Sequence, residues 1–435
     1  MAGILMFPAL FALIFLGFPV AFALIGVAFG FGMYAFGDAV FFQFIQKIED
    51  VASNFVLAAV PLFVFMGSML ERSGIAEQLF SAVHLWTRRL PGGLAIGTII
   101  MCIIFAASTG VIGATETVVG LLAIPAMMRH KYSNSLISGT ICAGGSLGSM
   151  ILPSIVLIFY GLTANAAIGD LFLAVIIPGL LLAGFYMVYI LVRCWINPAL
   201  GPVPPDEELD IPLSEKLSLL KGLILPMGVA LGVLGSIYAG IAAVGEAAAV
   251  GVAGTVLAAW VRGELKWKMM RDSLHQTMAA CGLLLWLTFG ATALIGVYNL
   301  LGGITYVRGL MTGLPFEPIV VVGLMMGVLI ILGLFMDWVG VLLLTMPIFV
   351  PIIKTFDYDP IWFGILFCMN MQISYLSPPF GPAAFYLKGV APPEISLYDI
   401  YRALWPFILM QIAAMLLVMF FPSLALWLPR TVGAG

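Results

Sequence analysis

Two stretches of this 435-residue sequence interrupt apolar runs with residues that free backbone oxygens. The first is Gly144-Gly145-Ser146-Leu147-Gly148-Ser149-Met150-Ile151-Leu152-Pro153-Ser154, and the second is Asn370–Gly381 (NMQISYLSPPFG). Glycine lowers helix stability and proline removes a backbone donor, so both predict local unwinding. Unwound carbonyls are hard ligands suited to a desolvated Na⁺. For either break alone, a proline kink kept for packing is an equal reading. Two matched breaks, each behind a hairpin, point instead to a transport site near the membrane midplane.

The hairpin tips are the second chemical element. Ser108, Thr109 and Gly110 offer hydroxyls and backbone opposite the first break, and Gly333 and Asp337 do so opposite the second. Taken alone, Ser108-Thr109 reads as small-residue helix packing. Three acids lie within or beside apolar stretches, where a carboxylate must be protonated, paired or bound to an ion. Asp337, at a tip, suits an ion-binding or hairpin-locking role. Glu246 suits a helix start. Glu116, just beyond the first tip, fits either kind of role.

No other constellation carries chemistry. His84, His130 and His275 are widely separated, and no Gly-x-x-x-x-Gly-Lys-[Ser/Thr] sequence occurs, so P-loop ATP hydrolysis is excluded. Cys102, Cys142, Cys194, Cys281 and Cys368 have no metal-ligand spacing and read as small buried hydrophobes. Transport energy must come from an ion gradient or another subunit, and no cofactor or metal beyond such a coupling ion is expected.

The elements that must position these residues are membrane helices. Hydrophobic residues make up 63% of the chain and charged ones 9%, with mean hydropathy +1.15. A soluble domain carries about 25% charged residues, so lipid must solvate most of this surface. The net charge of −3 offers no field for nucleic acid. The apolar N-terminus has no positive n-region or small-residue cleavage site, so it does not read as a removable signal peptide.

Apolar runs and polar punctuation predict an all-α polytopic membrane protein. Its spans are near 3–17, 19–36, 57–70, 135–162, 171–193, 222–240, 243–261, 277–299, 360–390 and 403–428. The segments 92–128 and 318–354 read as re-entrant hairpins, because small or polar clusters stand mid-run where loops would otherwise be. Landmarks recur in order: Gly74-Ile75 with Gly303-Ile304, Pro125 with Pro347, Leu152-Pro153-Ser154 with Ser377-Pro378-Pro379, and Phe159-Tyr160 with Phe385-Tyr386. Asp170…Pro178 likewise matches Asp399…Pro406. Each repeat then has five spans and one hairpin, and an odd span count forces the two to be inverted.

The corresponding division is 1–91 (scaffold and arm), 92–193 (first hairpin and interrupted helix), 194–221 (cytoplasmic linker), 222–317 (second scaffold and arm) and 318–435 (second hairpin and interrupted helix). With the N-terminus outside, all but Lys47, Arg308, Lys354 and Arg430 of the 18 Lys and Arg face the cytoplasm, the expected bias. Pro202–Lys216, rich in Pro and acids, reads as an extended tether.

Several motifs in this order resemble the large membrane subunit of tripartite ATP-independent periplasmic (TRAP) transporters, the DctM-like family, over almost the full length. They are Ala59-Val60-Pro61-Leu62-Phe63-Val64-Phe65-Met66-Gly67, Gly92-Gly93-Leu94-Ala95, Gly148-x-x-x-x-Pro153-Ser154-Ile155, Asp170-Leu171-Phe172-Leu173-Ala174-x-x-x-Pro178-Gly179, Gly245-Glu246-Ala247-Ala248-Ala249-Val250-Gly251 and Ser377-Pro378-Pro379-x-Gly381. The resemblance implies a bacterial inner-membrane importer of small organic acids coupled to Na⁺. It also implies an elevator mechanism, a small four-helix membrane subunit and a periplasmic substrate-binding protein. By motif it carries over one sodium site with Ser108 and the backbone at Gly148, Ile151 and Pro153, and a second with Gly333 and the backbone near Leu376 and Pro378. Asp337 joins the sodium set from its place at the tip. Thr109, Ser146, Ser149, Asn370 and Ser377, polar side chains of the same segments, are assigned to substrate. The sequence departs from the family pattern at Leu152, where a first proline is common, at Ser108–Gly113 and at Glu116. A self-sufficient carboxylate or ion exchanger of related fold is the alternative. A structural subunit or membrane enzyme is more remote, because no catalytic cluster is visible.

Overall fold

A computed structural model describes residues 2–109, 113–151, 154–203 and 213–432, and no strand occurs among them. The chain starts with α1 (Ala2–Phe15) and α2 (Val20–Phe36), parted at Gly17-Phe18-Pro19. Gly17 takes φ +90° there, a conformation that costs glycine little. Then come α3 (Ala39–Ala52), α4 (Ala59–Glu71) and α5 (Ile75–Thr87). A helix pair, α6 (Gly93–Thr109) and α7 (Ala114–Arg129), forms the first hairpin. The first broken helix is α8 (Asn134–Ser146), a 3₁₀ turn at Leu147–Ser149, and α9 (Ile155–Ala164). After α10 (Ile168–Ala174) and α11 (Ile176–Ile196), the connector over 204–212 lies outside the described residues.

The chain resumes with α12 (Leu213–Tyr238), α13 (Val244–Val261), α14 (Trp267–Leu300) and α15 (Gly303–Thr312). The second hairpin is α16 (Pro318–Gly333) and α17 (Trp338–Thr355), and the second broken helix is α18 (Pro360–Leu376) and α19 (Pro382–Val390). The last helices are α20 (Leu397–Phe420) and α21 (Ser423–Val432).

Several span boundaries differ from the sequence reading. Among the described residues, five helical stretches are long and apolar enough to cross a bilayer: 168–196, 244–261, 267–300, 338–355 and 397–420. Apart from α12, with 26 residues, the remaining apolar helices are shorter. The run expected over 403–428 ends at Phe421-Pro422, because Pro422 has no N–H to continue a helix. The run expected over 277–299 begins ten residues earlier, and α14 at 34 residues is about 51 Å long. Its first turns carry Lys268, Arg271 and Asp272 and extend past the ~30 Å apolar layer. The helices α3, α5 and α15 were not anticipated; each mixes polar and apolar residues on opposite faces, as an interfacial helix does.

Packing places the two breaks at the centre. The limbs α6 and α7 lie against α8, and α16 and α17 lie against α18, while α20 touches both α8 and α18. The halves also exchange partners: α17 packs on α9, and α19 packs on α7. Small residues permit this closeness, which in a bilayer is the main source of helix attraction. At Gly364 a β-carbon would stand 2.4 Å from the Tyr160 ring. The buried Tyr160 hydroxyl donates to the Pro360 carbonyl at 2.6 Å. That contact ties α9 to α18.

Candidate functional site

The second hairpin and second broken helix form the more completely described half of the site. Pro378 and Pro379 supply no N–H to the carbonyls of Ser374 and Tyr375 four residues back, so α18 stops at Leu376. Gly381 then takes φ +33°, and Pro382 starts α19 at its first position, where a missing N–H costs nothing. Opposite this break, α16 ends at Gly333. Asp337 caps α17, its carboxylate accepting from the Val339 N–H at 3.3 Å.

Between them is a cleft of about 20 Å³, lined by Gly333, Met336, Asp337, Ser374, Tyr375 and Phe380 among others. That is room for one water-sized occupant. Its polar inventory is one carboxylate, one alcohol, one phenol, the Trp338 indole N–H and backbone, with the carboxylate alone carrying charge. The Tyr375 hydroxyl is buried with no hydrogen-bond partner among the described residues. Such a set favours a small cation over an anion.

The first half is built similarly. The described backbone runs through Ser108 and Thr109, the last two residues of α6, while their side chains and Gly110–Ile112 lie outside the described part. Gly148 sits in the 3₁₀ turn, and Ile151 N–H bonds the Leu147 carbonyl at 2.9 Å. Leu152 and Pro153 lie outside the described residues. Glu116, in the first turn of α7, accepts from the Gly113 N–H at 2.8 Å. Gly113 in turn faces the Tyr386 ring of α19, 2.8 Å from where a β-carbon would be.

The serines of both breaks spend their protons locally. Ser146 donates to Ala143 O at 2.9 Å, Ser149 to Ser146 O at 3.0 Å, and Ser377 to Ile373 O at 2.6 Å; Ser154 donates to Ser149 O. A hydroxyl that has given its proton to its own helix keeps lone pairs for a ligand. Asn370 is nearly two turns deeper in α18 than the break, fully buried, and its amide donates to the Met326 carbonyl of α16 at 2.9 Å. Leu376, the last residue of α18, is buried.

Three participants were not read from the sequence. Ser374 is the hydroxyl that meets Gly333. Gln372 and Gln411 are buried and meet Ser146, with Gln372 Oε1 3.4 Å from its hydroxyl and Gln411 Nε2 3.5 Å from Gln372 Oε1. This joins α8, α18 and α20 through one polar knot. A buried Gln in an otherwise apolar helix was the available signal. The larger clefts lie elsewhere; one of about 530 Å³ between α1 and α2 is lined by Leu13, Val27, Phe31 and Tyr34 and is apolar. Among the described residues, no three His, Cys, Asp or Glu side chains gather as a metal site would need.

Comparison with known proteins fits this arrangement. The family described as "Tripartite ATP-independent periplasmic transporter, DctM component" matches residues 7–424. The chain is 30% identical over 388 residues to the C4-dicarboxylate TRAP transporter large permease protein DctM of Pseudomonas aeruginosa, covering 89% of each. It is 29% identical to the ectoine/5-hydroxyectoine TRAP transporter large permease protein UehC of Ruegeria pomeroyi, covering 97% of each. Among solved structures, the YdaH transporter of Alcanivorax borkumensis shares the fold, with TM-score 0.63 at 17% identity and 90% of each chain covered. Helices of this length and apolarity, a family match across nearly the whole chain and the absence of catalytic chemistry from that family lead to one conclusion: the protein is a multi-pass integral membrane transporter subunit, belonging to the DctM family of TRAP large permeases.

Proposed function

We propose that this chain is the translocating subunit of a bacterial inner-membrane importer that couples entry of a small organic acid to Na⁺. The observation that carries this reading is the second hairpin tip lying against the break between α18 and α19. A carboxylate, a hydroxyl and backbone there line a space of one small ion's size, around Gly333, Asp337 and Ser374. Sodium sites in this reading use Ser108 with Gly148, Ile151 and Pro153, and Gly333 and Asp337 with Leu376 and Pro378. Ser146, Ser149, Ser377, Thr109 and Asn370 flank the substrate path.

The mechanism is an elevator. Residues 92–193 and 318–435, related as inverted repeats, move as one unit against a scaffold of 1–91 and 222–317, with 194–221 as cytoplasmic linker. The exchange of partners between halves supports the single moving unit, since α17 on α9 and α19 on α7 resist separation. Substrates of the relatives, a C4-dicarboxylate and ectoine, suggest a small carboxylate here. The partners are a small four-helix membrane subunit and a periplasmic binding protein, as "tripartite" implies. The exposed apolar residues of the scaffold, Phe22, Phe42, Trp286 and Leu283 among them, suit lipid and lateral helix contacts.

Sodium occupancy is the direct test. Na⁺, but not K⁺ or choline at equal ionic strength, should raise the melting temperature of the purified chain, by mass action on the folded state. Equal effects of all three salts would contradict the sodium site.

A further inference from the structure

We propose that Glu116 is a proton-binding site of the transport unit, separate from the backbone that handles sodium. This rests on the transport reading above and adds to it that the first hairpin opens and closes upon the first broken helix within the moving unit. Glu116 is fully buried. One carboxyl oxygen is used by the Gly113 N–H. The other, Oε1, is buried and has no hydrogen-bond partner among the described residues. The carboxyl lies flat on the first broken helix at Gly145. A β-carbon at 145 would stand 2.6 Å from its Cδ and 2.8 Å from Oε1, so only glycine leaves room for it.

A carboxylate buried this way must be neutralised, because an unpaired charge away from water is among the costliest groups to bury. Among the described residues, Cys102 of α6, Cys142 of α8, Tyr375 of α18 and Tyr386 of α19 lie within electrostatic reach. None of these brings positive charge. Asp337 of α17 acts on the same two tyrosines and is a second acid, not a counter-ion. A hydrated ion does not fit against the Gly145 backbone, whereas a proton on Oε1 needs no cavity.

The exchange is a simple one. While α7 is shut against Gly145, the carboxyl keeps its proton. When the hairpin lifts, water reaches Oε1, the O–H bond breaks, the proton passes to water, and the carboxylate remains until closure returns a proton from water. A site of this kind would let the transmembrane pH difference bias the cycle alongside sodium.

Infrared spectroscopy of the full chain in detergent, at neutral pH and without sodium, tests this independently of transport. Protein labelled with [¹³C]glutamate should show a protonated-carboxyl C=O band that moves with the label. That band should shift in D₂O and disappear in Glu116→Gln. The proposal is overturned by the absence of a glutamate-derived band, by its persistence in Glu116→Gln, or by a band that never exchanges in D₂O, which would mark a locked structural acid. The labelled wild-type protein alone decides the first and third outcomes should the variant not fold. A present band with no sodium effect on stability would instead overturn the sodium reading and leave this one standing.

Discussion

Gly333 at the end of α16 meets the hydroxyl of Ser374 in α18, so closely that a β-carbon at 333 would stand 2.4 Å from Oγ. Two effects oppose one another at this position. Alanine is the better helix former by about 1 kcal/mol, while overpacking costs about 1–3 kcal/mol. The contact is with the Ser374 side chain close to its helix, which has little freedom to retreat, so the clash wins. Gly333→Ala should hold the second hairpin off the broken helix and raise the sodium concentration for half-maximal effect about tenfold, equivalent to about 1.4 kcal/mol. Adding Ser374→Gly should recover part of the lost closure. An unchanged sodium curve in Gly333→Ala would show that this contact does not set the site.

Asp337 separates two roles by one substitution. Its carboxylate caps α17 through the Val339 N–H, and asparagine caps about as well as aspartate. Asp337→Asn should therefore fold normally, with a melting temperature near wild type in sodium-free buffer. If the negative charge holds the ion, the sodium dependence of transport should still shift to higher concentration. A wild-type curve at matched expression would leave Asp337 as a cap only.

Pro378 keeps the break open by withholding a donor. Replacing Pro378 and Pro379 together by Ala returns N–H groups opposite the Ser374 and Tyr375 carbonyls and lets α18 run on. Membrane insertion and expression should persist, while half-saturation by sodium rises several-fold. Measuring uptake against sodium at fixed substrate checks this, and unaltered sodium dependence would remove the carbonyls of the break from the account.

His84 predicts how stability responds to acid. It is buried in α5 against the Phe80 ring, with the His130 ring 6.3 Å away. Burial first, then Arg88 and His130, lower its pKa from 6.5 to about 4. The folded chain thus keeps His84 neutral where the unfolded chain already takes a proton. Its contribution is intact above pH 6.5 and is lost as pH falls from there toward about 4. Melting temperature should decline across that window in wild type, and decline less in His84→Gln. Parallel profiles would assign the acid sensitivity elsewhere.

What the sequence made legible follows from which residues force the backbone. The end of the second hairpin's first limb and the second break were readable because Gly333, Pro378, Pro379 and Gly381 dictate conformation locally, wherever the chain packs. Partnerships were not readable: nothing near Gly333 in sequence names Ser374, and nothing near Glu116 names Gly145, since both contacts depend on how separate helices dock. Gln372 and Gln411 looked like isolated polar residues until α8, α18 and α20 brought them to Ser146. The interfacial α3, α5 and α15 escaped because a reading tuned to long apolar runs passes over short two-faced helices. The end of α20 is different. Pro422 was visible throughout, and the apolar run beyond it masked its effect.

The most direct test of the central claim is uptake of labelled small organic acids into vesicles containing this chain with its small membrane partner. The periplasmic binding protein and an inward sodium gradient are supplied separately and together. The account predicts accumulation only when both are present, and its loss when potassium replaces sodium. Robust accumulation by the chain alone, or accumulation indifferent to sodium, would contradict it.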